Sequence, residues 1–213
     1  NHLTASSKER RIVGLYLRQQ HFYDTIRSHL EEPQPEEIEP LQRLREEASR
    51  LRMPLETLSF VSRDPGTDIA ETANNQALDM ILMGFHKPLI KQSILGGTVN
   101  RVFSNARCHV GVFVDRGFHG VRRVLVPFMA ASTHDQLALE LAGRIGASAN
   151  ARVTVLQVVE PGNGAENGAT MEAVKKVFGE TLDPEVVSVK IVEDASPVDA
   201  VLREAASHDL VVI

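Results

Sequence analysis

The chain predicts an α/β fold made of two doubly wound parallel-sheet domains in tandem, and three observations carry that prediction. Short apolar runs alternate with amphipathic or capped helical stretches along all 213 residues. The runs Met80 to Phe85 and Val110 to Asp115 are continuous rather than alternating, the pattern of strands covered on both faces in a parallel sheet. Finally, the halves match. Asp68-Ile-Ala-Glu-Thr-Ala-Asn-Asn-Gln-Ala-Leu-Asp79-Met-Ile-Leu parallels Asp199-Ala-Val-Leu-Arg-Glu-Ala-Ala-Ser-His-Asp209-Leu-Val-Val, and Arg11-Ile-Val-Gly-Leu-Tyr-Leu parallels Arg152-Val-Thr-Val-Leu-Gln-Val. A βα repeat of domain length points to tandem domains rather than to a solenoid.

In chain order, Arg11 to Leu17 reads as a strand, and a polar, proline-containing segment runs from Glu31 to Pro40. Its acidic run Glu31-Glu32 to Glu36-Glu37 suits a solvated helix start, where negative charge is favourable. Ile38, Leu41, Leu44, Ala48 and Leu51 recur at helical steps. Leu55 to Val61 is a second strand, and Asp64 followed by Pro65 reads as a cap with proline at the first helical position, opening a helix to about Asn75. Met80 to Phe85 is expected as a buried strand, Thr98 to Ala106 as a short helix, Val110 to Asp115 as another buried strand, and Arg116 to Arg122 as the linker.

The second half runs through a strand at Val124 to Phe128 and a helix opened by a capping box of Ser132 and Asp135, with Leu137, Leu141 and Ile145 on its inner face. A strand at Arg152 to Val159, a glycine-rich loop from Gly162 to Gly168 and a helix from Met171 to Leu182 follow. A strand at Val186 to Val192, a helix opened at Ser196-Pro197 and a strand begun at Asp209 complete the series. The expected domains are residues 1–117 and 118–213.

Composition narrows the function. The formal net charge of −5, with no basic stripe carrying interleaved aromatics, argues against nucleic-acid binding. A single cysteine, Cys108, excludes an internal disulfide and fits a reducing compartment. No apolar run approaches the roughly 18 residues of a membrane helix. The eight histidines are scattered, without H-x-x-x-H or C-x-x-C spacing, so no metal site is expected. His134 and Asp135 beside Ser132 are helix neighbours pointing in different directions, which does not make a catalytic triad.

The most informative stretch runs from Asp79 to Val99: an acid, an apolar run ending at Gly84, a loop, then Gly96-Gly97-Thr98 at a helix start. In an α/β protein this places bare backbone N–H groups and a helix N-terminus at the carboxyl edge of a sheet, which suits a phosphate or another anion. The same residues also suit a tight turn and a threonine cap. His86 and Lys87 sit in the loop, and Lys87 with Lys91 offers positive charge for phosphate or ordinary surface lysines.

Met83-Gly84 followed by Gly97-Thr98 and Val110-Gly-Val-Phe-Val114 resembles the universal stress protein domain, a Rossmann-like fold related to the adenine nucleotide alpha-hydrolases. That family carries Gly-x2-Gly-x9-Gly-(Ser/Thr) after its fourth strand, where backbone amides and the hydroxyl hold ATP phosphates. Gly84 matches the first glycine, Gly97 the third and Thr98 the hydroxyl, while Lys87 stands at the second glycine's position. The resemblance implies an adenine nucleotide, ATP, as ligand, with Gly84, His86, Lys87, Gly96, Gly97, Thr98 and Val99 around it, and implies no catalytic residue. It also implies that the first half lacks its first strand and the second half its last strand and glycine loop.

Met83-Gly-Phe-His-Lys-Pro-Leu89, Leu95-Gly-Gly-Thr-Val-Asn-Arg-Val102 and Val110-Gly-Val-Phe-Val-Asp-Arg-Gly117 are similar to the cytosolic tail of bacterial monovalent cation:proton antiporters. This narrower resemblance implies a regulatory module at the cytoplasmic face of the inner membrane, partnered by a membrane exchanger domain of the same polypeptide and associating as a homodimer. The alternative expectation is a free-standing cytoplasmic tandem stress protein that binds ATP.

Overall fold

The computed structural model describes residues 11–19, 38–84, 96–129, 133–162 and 168–213. These fall into two compact units, Asn1–Asp115 and Arg116–Ile213. Among the described residues every strand pairing is parallel, as continuous apolar runs separated by helices require.

The first unit opens with β1 (Ile12–Gln19), which pairs with β2 (Leu55–Ser62) from Ile12 opposite Leu55 to Gln19 opposite Ser62. Between them lies α1 (Glu39–Arg50), whose buried residues Leu41 and Ala48 lie on the expected stripe. The helix ends one residue before Leu51, so this last apolar position caps the helix and is exposed. Gly14 of β1 is buried because α1 lies so close that an added Cβ would come within 2.7 Å of Leu44 Cδ2. Next come α2 (Pro65–Asn75), β3 (Met80–Gly84), α3 (Gly96–Asn105) and β4 (His109–Phe113), with β3 paired to β4. Ala73 of α2, Ile81 of β3 and Val102 of α3 form the core here, flanked by Ile69, Leu78, Met83, Cys108 and Val110.

Both buried-strand expectations need correcting: in β4 none of His109 to Phe113 is buried, and Val114 past its end is 47% exposed. Met80 to Phe85 reads as a strand buried throughout, yet only Ile81 of β3 is buried, and Leu82 is 71% exposed. Helices α2 and α3 cover the face that carries Ile81 and Met83, and the face shared by Met80, Leu82 and Gly111 is open. Phe85 lies outside the described residues.

In the second unit β5 (Arg123–Pro127) is central: the sheet order is β7-β6-β5-β8, formed with β6 (Arg152–Val159), β7 (Val187–Glu193) and β8 (Leu210–Val211). Helices α4 (Thr133–Ala149), α5 (Gly168–Phe178) and α6 (Pro197–Ala205) connect the strands. Val124, Val126, Leu139, Val153, Val155 and Val174 are wholly buried in one cluster. The inner face of α4 is Ala138, Leu139 and Ala142, with Leu137, Leu141 and Ile145 only half-buried. The stripe is rotated because Gly143 and Gly146, lacking side chains, let α4 approach Val177 of α5 and Val153 of β6. Ser132, the expected cap, lies outside the described residues, and Asp135 accepts from the Met129 N–H (3.3 Å).

Candidate functional site

The carboxyl end of β2 and the amino ends of α2 and α3 meet on one side of the first unit. Asp64 caps α2: its carboxylate accepts from the Thr67 N–H (3.4 Å) and hydroxyl (2.9 Å). Proline at the next position fits because its missing N–H has no helical partner there anyway. The buried Ser62, last residue of β2, donates to Asp68 in the first turn of α2 (2.5 Å), tying helix start to strand end.

Gly66 brings α3 in. A Cβ on Gly66 would stand 2.7 Å from Arg101 Cβ and 2.9 Å from the Thr98 carbonyl oxygen, so only glycine allows α2 and α3 to start side by side. Arg101, one turn into α3, reaches across to Asp64 at 2.5 Å. Burial alone would raise the Asp64 pKa, but the Thr67 hydroxyl and amide and the Arg101 guanidinium outweigh it and hold the carboxyl below its ordinary range. Asp64 and Arg101 join the site by geometry; no sequence motif marks the pair, although proline after Asp64 marks the cap.

The two helix starts differ electrostatically. Asp64 and Asp68 occupy the start of α2, whereas α3 has no acidic residue in its first turn. The positive end of α3 is therefore not answered by a first-turn carboxylate, and an anion is favoured there.

Of the expected site residues, Gly84 ends β3 and is exposed, Gly96 opens α3, and Gly97 and Thr98 are exposed in its first turn. Val99 is buried at 6% exposure and packs the helix down, a structural rather than a contacting role. His86, Lys87 and Lys91 lie outside the described residues. At Gly84 and at Gly97 an added Cβ would meet no described atom within 4 Å, and neither glycine has positive φ. Neither packing nor backbone conformation among the described residues asks for glycine there. Beside Gly97 lies a depression of about 440 Å³ lined by Thr67, Gly97, Asn100, Arg101, Ser104 and Asn105.

The second unit differs at the corresponding edge. Past β5 stand Phe128, buried, and Met129, 76% exposed, with the Asp135 carboxylate turned back onto the Met129 amide. At the opposite edge Asp209 accepts from the Arg122 and Arg123 N–H groups (2.9 Å each), which hold its carboxyl below the ordinary range. Neighbouring His208 bonds the Glu204 carbonyl through Nδ1 (2.9 Å) and the Thr154 hydroxyl through Nε2 (3.0 Å), a structural tie between α6 and β6. Among the described residues no cluster of His, Cys, Asp and Glu could hold a metal ion, and no helix is long and apolar enough to cross a membrane.

Comparison with known proteins agrees with this fold. A universal stress protein from Archaeoglobus fulgidus DSM 4304 is similar over 92% of this chain and 72% of its own, at 21% identity and a TM-score of 0.63. A candidate universal stress protein from Pseudomonas aeruginosa UCBPP-PA14 is similar over 95% and 80%, at 16% identity and a TM-score of 0.54. A universal stress protein solved in complex with cAMP is similar over 44% of this chain and 72% of its own, at 24% identity and a TM-score of 0.37. No curated protein matches the chain in sequence. Residues 11–113, nearly all of the first unit's described span, match the universal stress protein family.

Proposed function

We propose that the first unit is a non-catalytic sensing module that binds an adenine nucleotide, ATP in the first instance, where β3 gives way to α3. The observation that carries this reading is the pair Gly84 and Gly97, side-chain-free positions with ordinary backbones, beside a helix start without acids. Phosphate oxygens would accept from the first-turn N–H groups of α3, with the Thr98 hydroxyl as a further donor. Lys87, at a position where the family carries glycine, supplies a positive charge in place of an amide.

Calorimetric titration of the chain with ATP tests this. Saturable binding below millimolar concentration is expected, and Gly97→Val is expected to weaken it at least about tenfold, since a branched side chain there covers the amides. Absence of heat at millimolar ATP, or a Gly97→Val chain that binds as the parent does, overturns the reading.

The motifs from Met83 to Leu89, Leu95 to Val102 and Val110 to Gly117 support a more specific role as the cytosolic regulatory region of a monovalent cation:proton antiporter. In that role the module is a homodimer at the cytoplasmic face of the inner membrane, joined to an exchanger domain of the same polypeptide. The nucleotide shifts the exchanger between active and inactive states by a coupling of about 1–3 kcal/mol. Recovery of the endogenous polypeptide in the soluble rather than the membrane fraction overturns this attachment. A free-standing tandem protein that binds ATP is then the reading that stands.

A further inference from the structure

The second unit begins with Arg116-Gly-Phe-His-Gly-Val-Arg122, a stretch that the nucleotide reading does not use. It lines a depression of about 530 Å³ whose wall also includes His208 and Asp209, from the connection between α6 and β8. Gly117 (φ 87°) and Gly120 (φ 135°) shape this stretch. An added Cβ at either would meet no described atom within 4 Å, so backbone conformation rather than packing asks for glycine there. With these two bends Arg116 and Arg122, six positions apart (122 − 116), line one depression.

The charges around this depression do not cancel. Among the described residues Asp209 is the single carboxylate that lines it, and that carboxylate is already answered. One of its oxygens accepts from the Arg122 and Arg123 N–H groups at 2.9 Å each, and the other lies 4.0 Å from the Arg123 guanidinium. Among the described residues the guanidinium groups of Arg116 and Arg122 form no ion pair of their own, although Asp209 also feels the Arg122 charge at longer range. His208 is engaged at both ring nitrogens, with the Glu204 carbonyl and the Thr154 hydroxyl, and serves as wall. His119 is exposed, and its ring has no hydrogen-bond partner among the described residues. An imidazole in any protonation state found near neutral pH offers at least one N–H.

We propose that this depression is a second anion site, which takes a phosphate-class dianion such as inorganic phosphate or a phosphomonoester between Arg116 and Arg122, with the His119 ring as a further donor. Two guanidinium charges match the charge of about −1.5 to −2 that such a group carries at pH 7. The planar fork of each guanidinium suits a pair of phosphate oxygens, and the charge-assisted bonds are the strong ones. The inference does not depend on the proposed nucleotide site. It concerns the other unit, and it rests on side-chain charge rather than on bare amides at a helix start.

Titration of the 213-residue chain with potassium phosphate tests it, against potassium chloride at matched ionic strength. The ring protons of His119 are followed by NMR, and they are expected to shift saturably in phosphate alone, half-way below about 5 mM. Tryptic cleavage after Arg116 and Arg122 is expected to slow over the same range while cleavage elsewhere keeps its rate. A chain carrying both Arg116→Gln and Arg122→Gln is expected to bind at least about tenfold more weakly, with its thermal unfolding in chloride unchanged. Arg144→Gln, which removes an exposed arginine of α4, is expected to leave the response intact, and so is Gly97→Val in the first unit. A parent chain whose His119 signals move no further in phosphate than in chloride overturns the site, and so does a doubly substituted chain that responds as the parent does. Loss of the response in the Gly97→Val chain assigns the anion to the first unit and overturns the placement proposed here.

Discussion

Gly66 decides how closely the two helices of the candidate site can start together. With Arg101 Cβ and the Thr98 carbonyl inside 3 Å of an added methyl, Gly66→Ala has to push α3 away from α2. The backbone carbonyl cannot rotate aside as a flexible side-chain end does, so the expected loss is about 1–3 kcal/mol. Chemical denaturation measures it. Arg101→Ala breaks only an exposed ion pair and is expected to cost less than about 1 kcal/mol by the same measurement. The Asp64 cap was legible because a cap is local: aspartate and proline stand side by side at the helix start. Gly66 was not, since its demand comes from a residue 35 positions away (101 − 66) that only the packed structure brings near.

Helices and strands show a similar division. The strand edges of β1, β2, β6 and β7 follow from apolar runs, and α2 begins at its expected Asp64 cap and ends at the expected Asn75. The helix at Gly96–Asn105 starts two residues before Thr98, because the glycines take helical conformation and leave Thr98 inside the first turn. In α4 a reading weighted toward large residues favoured Leu137, Leu141 and Ile145. Close packing instead selected the smaller Ala138 and Ala142 with Leu139. Leu139→Ala is accordingly expected to destabilise the second unit by about 2–5 kcal/mol, read from its urea midpoint. The start of α6 gives another case. Ser196 stands at the cap but makes no side-chain cap bond; the Asp194 carboxylate accepts from the Ser196 N–H (2.7 Å) and pairs with Arg203.

These carboxylates make stability depend on pH, and the sign follows from their direction. The Ser196 N–H with Arg203 lowers Asp194, and the Arg122 and Arg123 N–H groups lower Asp209. A carboxyl with a folded pKa below its unfolded value stabilises above the unfolded pKa, about 3.9 for aspartate. That contribution is lost as pH falls through the folded pKa. Thermal unfolding of the chain is therefore expected to shift downward below about pH 4, and the Asp209→Asn chain is expected to melt lower at neutral pH with a shallower acid dependence.

At the scale of the whole molecule, the tandem organisation was legible because a repeat compares the chain with itself and requires no packing knowledge. The exposure of β3 was not, since burial of a strand depends on neighbours that its own sequence does not name. The expected linker, Arg116 to Arg122, falls at the start of the second unit, is almost entirely exposed and includes Gly117 and Gly120 at positive φ. Brief trypsin treatment is expected to cut first at Arg116 or Arg122 and to yield two fragments of roughly equal mass, seen by mass spectrometry. Early cleavage inside α4 or β6 contradicts the division into two units.

Cys108 has a practical consequence. It is the chain's single thiol, it borders the β3–β4 core, and burial chiefly raises its pKa, with the Asp79 charge adding to the rise. Alkylating reagents consume thiolate, so labelling of the folded protein is slow at neutral pH and accelerates when this core opens. With no second thiol in the chain, any gain in labelling rate over that of the folded protein reports on the first unit alone, which makes the native cysteine a built-in probe of that half of the protein.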